Sequence, residues 1–186
     1  MTNAVDTIEI QNVVASTGVG QELELDALGQ DLDDVQYDPD HFPGLIYRLQ
    51  DPKATVLLFR TGKIVCTGAT SVHNVQTALQ DVFDTLRSLG IEAPADREIT
   101  VQNIVSNADL DRQLNLNAIA IGLGLENVEY EPEQFPGLLY RLDEPEAVVL
   151  LFTSGKLLIT GVKTREAIED SLAVIIDRLE QLGLLD

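Results

Sequence analysis

The residue types that most often carry catalysis are sparse in this chain. Its single cysteine, Cys66, can form neither an internal disulfide nor a metal cluster, and we expect it to act as a small buried hydrophobe. The two histidines, His41 and His73, have no serine or cysteine beside them in a recognisable triad. The carboxylates are spread along the chain as a solvated coat. We therefore predict no enzymatic activity, no metal site and no cofactor.

The glycine-containing segments do not match a phosphate-binding loop. GVG at 18–20 and GLGLEN at 122–127 lack the full GxGxxG pattern between a strand and a helix. Each GK pair, at 62–63 and 155–156, lacks the glycine five positions earlier, where Leu57 and Leu150 stand. These segments are predicted to be loops and turns.

The charge of the chain is strongly acidic. Its 186 residues include 31 Asp and Glu but only 12 Lys and Arg, for a formal net charge of -19. Taken alone, this balance argues against nucleic acid, because proteins that bind it usually carry a basic surface. No apolar run reaches the roughly 20 residues needed to cross a bilayer. The amino terminus lacks a basic segment followed by an apolar one, so we expect a cytoplasmic protein with no membrane partner.

A long segment occurs twice in the chain. Residues 37–68 and 130–161 align without a gap and share 19 identical residues. Upstream, residues 8–16 match residues 99–107, and the second copy then has two additional residues before Tyr130. A period near 90 residues indicates two similar half-domains, 1–93 and 94–186, and not a solenoid of short units.

Each half is predicted to contain several strands and a long helix. IEIQNVVA, LIYRL, ATVLLF, KIVCTG and their copies alternate with a period of two and are rich in Val, Ile, Leu and Thr. Apolar residues recur at helical spacing over 71–89, before Gly90, and again between Thr164, the predicted N-cap, and Gly183. Such a helix has one apolar stripe, so it covers one face of a sheet.

The strands carry more apolar surface than these helices can cover. In ATVLLF, Val56 and Leu58 face one way, whereas Leu57 and Phe59 face the other. The apolar residues expected on the uncovered face are Leu57, Phe59, Val65, Leu150, Phe152 and Leu158. Neutral hydrogen-bonding groups lie among them, at Asn12, Asn103, Thr67 and Thr160. We expect a large, partly apolar and pseudo-symmetric partner there, although phenylalanines at repeated positions also fit an ordinary core.

The repeated motifs resemble the TATA-binding protein family. The resemblance rests on QNVVAS and QNIVSN, the two FPGL-x-YR segments, the two VLLF-x-x-GK segments and the two strands that end in TG. It runs from about Ile8 to Leu185, and the acidity with few lysines resembles members from halophilic archaea. The family implies an α+β fold of two repeats, a saddle whose curved ten-stranded antiparallel sheet has four helices on its convex face. It also implies a general transcription factor that binds the TATA box in the minor groove and bends it, to nucleate preinitiation complex assembly.

The resemblance implies DNA contacts at repeat-related positions. The implied wedge residues are Phe42 with Phe59 and Phe135 with Phe152. The implied base-edge contacts are Asn12 and Asn103, helped by Thr67 and Thr160. The implied floor consists of Val14, Leu57, Val65, Val105, Leu150 and Leu158, and Leu158 departs from the valine typical of the family's second half. The implied phosphate contacts are Arg48, Arg141, Lys63 and Lys156, which from the residues alone also fit solvated strand ends and turns.

The resemblance implies protein partners as well. Glu131 and Glu133 in YEPEQF match acidic residues with which the family binds transcription factor B and, through it, RNA polymerase. Asp38 and Asp40 occupy the same places in the first copy. We expect the protein to be associated with the nucleoid in the cytoplasm, and the apolar face leaves open a homodimer of the DNA-free protein. The alternative function is a protein-only scaffold that docks partners on the exposed sheet.

Overall fold

The structure is a computed structural model that describes residues 3–94 and 97–185. Within these residues the chain forms ten β-strands and four α-helices, and all ten strands belong to one antiparallel sheet. The predicted α+β class with a ten-stranded sheet and four helices is therefore confirmed. No helix in this part of the chain is both long and apolar enough to cross a membrane.

The first half of the chain contains five strands and two helices. They are β1 (Glu9–Gly18), α1 (Leu25–Asp31), β2 (Val35–Gln36), β3 (Leu45–Gln50), β4 (Lys53–Leu58), β5 (Lys63–Ala69) and α2 (Val72–Ser88). The hydrogen-bonded order of the strands is β2-β3-β4-β5-β1. Helix α2 packs against β4 and β5, so one face of this part of the sheet is covered.

The second half repeats this arrangement. Its elements are β6 (Thr100–Asp109), α3 (Leu116–Leu123), β7 (Val128–Glu129), β8 (Leu138–Asp143), β9 (Glu146–Leu151), β10 (Lys156–Val162) and α4 (Arg165–Gln181). The strand order is β6-β10-β9-β8-β7, the same relative order as in the first half, and α4 packs against β10.

Contacts divide the chain into two compact units. One unit is Asn12–Gln102, and the other combines Met1–Gln11 with Asn103–Asp186. These bounds are defined by contacts in the structure. The half-domain boundary between residues 93 and 94 is defined by the sequence repeat, and it stays a prediction.

The two long helices begin and end where their sequences predict. The Ser71 hydroxyl accepts a hydrogen bond from the Asn74 amide at 3.0 Å, and the Thr164 hydroxyl accepts one from the Ala167 amide at 3.1 Å. Each side chain thereby satisfies an amide that has no partner inside the helix. Both helices end before a glycine with positive φ, Gly90 or Gly183, which allows the chain to turn away.

The side of the sheet that carries these helices is a packed core. In β4, Ala54, Val56 and Leu58 are buried, and the intervening Thr55 and Leu57 are only half-buried. Strand β9 has the same pattern. Cys66 belongs to this core, as predicted, and burial raises the pKa of its thiol to about 11. Its chemistry is therefore that of a neutral, buried side chain.

Candidate nucleic-acid interface

In the first half, a row of side chains crosses four strands on the face away from α2. Val65 pairs with Ser16 on β1 and with Leu57 on β4, and Leu57 pairs with Ile46 on β3. Residues directly opposite each other in antiparallel strands share a face. All four side chains are half-buried, whereas the residues that alternate with them in β4 and β5 are fully buried. In this row only Ser16 is polar, and no helix of the described residues covers the row.

The second half contains the matching row. Leu158 pairs with Asn107 on β6 and with Leu150 on β9, and Leu150 pairs with Leu139 on β8. The alternation rule thus places Leu57 with Val65, and Leu150 with Leu158, as expected. The other four members were not selected from the sequence: Ser16, Ile46, Asn107 and Leu139. Extending the same alternation to the neighbouring strands would have identified them.

Each half carries a pair of phenylalanines that meet edge to face. The ring centroids of Phe42 and Phe59 lie 5.9 Å apart, and those of Phe135 and Phe152 lie 6.0 Å apart. None of the four is buried, which departs from an ordinary core position. Phe135 is 45% exposed, and the other three are half-buried.

Turns of matching geometry hold both phenylalanine pairs. The amide of Phe42 donates to the Asp38 carbonyl at 2.9 Å, and the amide of Phe135 donates to the Glu131 carbonyl at 3.0 Å. The glycine of each FPG segment leaves room for the rings. A Cβ on Gly44 would lie 2.8 Å from Phe42 and 3.0 Å from Phe59, which explains why no larger residue fits there.

Asn12 is held in one orientation by the backbone of β5. The register between β1 and β5 shifts at a bulge near Gly68, and the Gly68 amide donates to Asn12 Oδ1 at 2.6 Å. Asn12 Nδ2 then donates to the Thr67 hydroxyl at 3.2 Å. Since Oδ1 is fixed by a backbone amide, Nδ2 must point the other way, with its second hydrogen free to donate.

The second half repeats this arrangement around Asn103. The Gly161 amide donates to Asn103 Oδ1 at 2.7 Å, and Asn103 Nδ2 donates to the Thr160 hydroxyl at 3.1 Å. The register between β10 and β6 shifts here too. The structure therefore brings each predicted Asn and Thr together.

The predicted basic residues are exposed. Arg48 lies opposite Thr55, and Arg141 opposite Val148, which places both arginines on the strand next to the edge of their half. Arg141 Nη2 is 3.5 Å from the carboxylate of Glu129. Lys63 and Lys156 begin β5 and β10 and are also exposed. Two residues of the predicted floor, Val14 and Val105, are half-buried. Within each half, the pairing register places the arginine level with a threonine four residues along the strand from the lysine, so the two cations of a half do not form a basic cluster.

The acidic residues predicted to bind a protein partner lie in the turn before Phe135. Glu131 and Glu133 are both exposed there. In the first half, the carboxylate of Asp38 is 2.8 Å from His41 Nδ1. The equivalent of His41 in the second half is Gln134, which has no charge and so cannot form an ion pair. The two turns have similar backbones but different surface chemistry.

Each half therefore presents an apolar face with a few neutral donors and a rim of separate cations. The DNA minor groove offers only acceptors at A·T pairs, so recognition there needs few donors and relies on shape and apolar contact. Phosphate contacts need cations at the rim and not in the centre. The chemistry of each face fits A·T-rich DNA approached from the minor groove.

Comparisons with known proteins agree with this chemistry. The chain matches the family model described as transcription factor TFIID, or TATA-binding protein, over residues 7–89 and 98–182. It is 63% identical over 186 residues to TATA-box-binding protein E of Halobacterium salinarum, covering 100% of both chains. It is 61% identical over 186 residues to the TATA-box-binding protein of Haloarcula marismortui, again over 100% of both. A solved structure of the Methanococcus jannaschii protein superposes with a TM-score of 0.85 at 44% identity, over 94% of this chain and 98% of that one.

Proposed function

The chain belongs to the TATA-binding protein family, and from this premise we propose which of its residues contact DNA and which contact protein partners. It is a general transcription factor that binds the TATA box, and not an enzyme. Bending of the bound duplex is a known property of the family. Its relatives from halophilic archaea share its full length. Family membership removes the alternative of a protein-only scaffold.

We assign the uncovered face of each half to the minor groove. The proposed floor is Val14, Leu57 and Val65 in the first half, and Val105, Leu150 and Leu158 in the second. The half-buried apolar residues of the cross-strand rows support this assignment, because apolar residues without a helix over them need another cover. Apolar contact of this kind gains free energy when water leaves both surfaces.

Asn12 and Asn103, with Thr67 and Thr160, are the proposed base-edge contacts. A backbone amide fixes Oδ1 of each asparagine, so each presents an Nδ2 hydrogen to a ligand. The acceptors that A·T pairs expose in the minor groove, adenine N3 and thymine O2, match this donor. Guanine places its 2-amino donor in the same region and offers no match to another donor.

The paired phenylalanines are the proposed wedges, and the separate cations are the proposed phosphate contacts. Phe42 with Phe59, and Phe135 with Phe152, have partly exposed rings that can enter a base step without unfolding the core. The four basic residues are exposed, so no desolvation free energy is spent on holding their charges in the free protein: Arg48, Arg141, Lys63 and Lys156. Arg141 would exchange its contact with Glu129 for a phosphate.

The observation that carries this proposal is the fixed orientation of the two asparagines. The test is binding to a TATA duplex by the Asn103→Ala variant, with Asn117→Ala, an exposed asparagine on α3, as the control. We expect the first variant to lose about 1–3 kcal/mol of binding free energy and the control to lose none. Equal affinity of both variants would contradict the assignment.

Protein partners are proposed for the turn before Phe135. We infer that Glu131 and Glu133 contact transcription factor B, which in turn brings RNA polymerase to the promoter. Their exposure on a turn beside a proposed DNA wedge supports this, because a factor bound there also reaches the neighbouring DNA.

The state of the protein away from DNA is a separate proposal. We infer that the apolar face is covered by a second copy in a homodimer when no DNA is bound, since exposed apolar patches seek a cover. Sedimentation of the protein with and without a TATA duplex tests this: the dimer should dissociate as DNA is added.

We also place the protein on the nucleoid in the cytoplasm, where its promoter DNA is found. The repeat supports half-domains at 1–93 and 94–186.

A further inference from the structure

We infer that Asn107 reads a base edge in the second half, and that it lets this half accept a G·C pair at a position where the first half requires A·T. The inference rests on the proposed DNA face. It makes the two similar halves chemically unequal, so the two ends of the DNA element need not have the same sequence.

The strand pattern places Asn107 on the uncovered face. Its neighbours in β6, Ser106 and Ala108, are buried in the core, and Asn107 itself is exposed. Its cross-strand partner is Leu158, a member of the proposed floor. Asn107, Leu158 and Phe152 also line a cavity of about 770 Å³, so there is open space in front of the carboxamide. Among the described residues, no hydrogen bond occupies this carboxamide.

The equivalent residue in the first half has different chemistry. Ser16 pairs with Val65 as Asn107 pairs with Leu158. The Ser16 hydroxyl already accepts a hydrogen bond from Gln102 Nε2 at 2.8 Å. It is a short group with one hydrogen to donate, whereas Asn107 has a longer side chain with a separate donor and acceptor. The described contacts therefore leave the Asn107 carboxamide unpaired, whereas the short Ser16 hydroxyl is held by Gln102 and keeps only one further lone pair close to the strand.

A free acceptor matters because one donor, the guanine 2-amino group, distinguishes G·C from A·T pairs in the minor groove. A·T pairs expose acceptors only, and G·C adds the guanine 2-amino donor. That donor loses its water when the groove is covered, and against an apolar floor it would stay unpaired at a cost in free energy. Asn107 Oδ1 can accept from it, and rotation of the same amide presents Nδ2 to adenine N3 or thymine O2. Asn107 thus satisfies either pair.

The test is a competition assay with the full-length protein and a series of TATA duplexes. Each duplex carries one G·C pair, moved through every position of the element, and a parallel series carries inosine in place of that guanine. Inosine lacks the 2-amino group but otherwise presents the guanine minor-groove edge. The variants are Asn107→Leu, which keeps the number and branching of the side-chain heavy atoms and removes both polar groups, and Ser16→Ala, its matched control in the other half.

We expect the wild-type protein to tolerate G·C at one position that lies toward one end of the element. Asn107→Leu should lose about tenfold in affinity at that position only. Inosine at the position should restore binding by this variant, because the unpaired donor is then gone. Ser16→Ala should leave the tolerated position unchanged.

Two results would overturn the inference. If wild type and Asn107→Leu have the same affinity profile across all positions, Asn107 does not read a base edge while the DNA-binding face still stands. If Asn107→Leu loses affinity equally at every position, including the unmodified duplex, its role is general contact and not discrimination. A wild-type protein that binds no TATA duplex would instead contradict the proposed function itself.

Discussion

The rings of Phe42 and Phe59 meet edge to face, with centroids 5.9 Å apart and an interplanar angle of 67°. Phe135 and Phe152 repeat this contact at 6.0 Å and 72°. Phe42 follows a turn closed by the Asp38 carbonyl, and Phe59 opens the turn that contains Gly62. The pair therefore joins two turns and is assembled on the free protein, so DNA meets it without a folding step.

Removing either phenylalanine pair is expected to abolish DNA bending while the fold survives. The double variant Phe42→Ala with Phe59→Ala loses the wedge, but its rings are partly exposed and contribute less to the core than buried ones. The bend is measured by energy transfer between dyes at the two ends of a TATA duplex, and the fold by thermal unfolding. The control is Phe83→Ala, a buried residue of α2, which should cost about 3–5 kcal/mol of stability. Normal bending by the double variant would contradict the wedge assignment.

Leu57 and Leu58 are adjacent in β4 but are expected to affect different properties. Leu58 is fully buried, so Leu58→Ala should lower the free energy of unfolding by about 2–5 kcal/mol. Leu57 is half-buried on the uncovered face, so Leu57→Ala should cost much less stability. It should instead weaken TATA binding by about 1–2 kcal/mol, from apolar area no longer buried against DNA. Urea unfolding and DNA titration on both variants measure the two effects. If both substitutions change the same property to the same extent, the two sides of β4 have been assigned wrongly.

The two acidic turns are expected to differ in their effect on factor B. Glu131→Arg should weaken the assembly of transcription factor B on protein-bound TATA DNA, because a proposed acidic contact becomes repulsive. Asp38→Arg, the equivalent change in the first half, should do so much less. A mobility-shift titration with factor B on a preformed DNA complex compares the two. Losses of the same size would show that the acids act only through net charge.

Binding to a TATA site is expected to be weak at low salt and constant or stronger toward molar potassium chloride. Counterion release by the four basic residues alone would give a log-log slope of about -3.6. At about 1 M salt the Debye length is only about 3 Å, so repulsion between DNA and a chain of charge -19 is nearly removed, whereas apolar contact persists. A titration from low to molar salt measures the slope, and Asp40→Asn, beside a proposed wedge, should make it more negative. Tight binding at low salt with a decline near the counterion slope would contradict a role for the acidic residues.

Much of the fold and part of the candidate site could be predicted from local patterns. Strand alternation separates Val56 from Leu57, and the N-cap at Thr164 marks the start of α4. The bulge at Gly68 could not be predicted, because it depends on the register between β1 and β5 and not on either strand alone. The same holds for Asn107, a polar residue that became part of the site only when pairing placed it beside Leu158.

The degree of exposure of the phenylalanines could also not be predicted from the sequence. Its pattern indicates which face they occupy, but how far each ring shields the other depends on side-chain packing against Gly44 and Gly137. Phe135 is well exposed while Phe42 is half-buried, although the two FPG segments are nearly identical. The two pairs also differ slightly in geometry, with interplanar angles of 67° and 72°.

Binding to inosine-substituted DNA tests most directly the claim that these sheet faces bind the minor groove. A TATA duplex rewritten with I·C pairs has the minor groove of A·T and the major groove of G·C. We predict that the protein binds and bends this duplex within about threefold of the natural one. The same duplex with G·C pairs should lose about 1–3 kcal/mol per changed pair outside the position that Asn107 is proposed to read. Loss of binding to the I·C duplex, at the level of the G·C duplex, would show that the protein reads the major groove and would contradict the account.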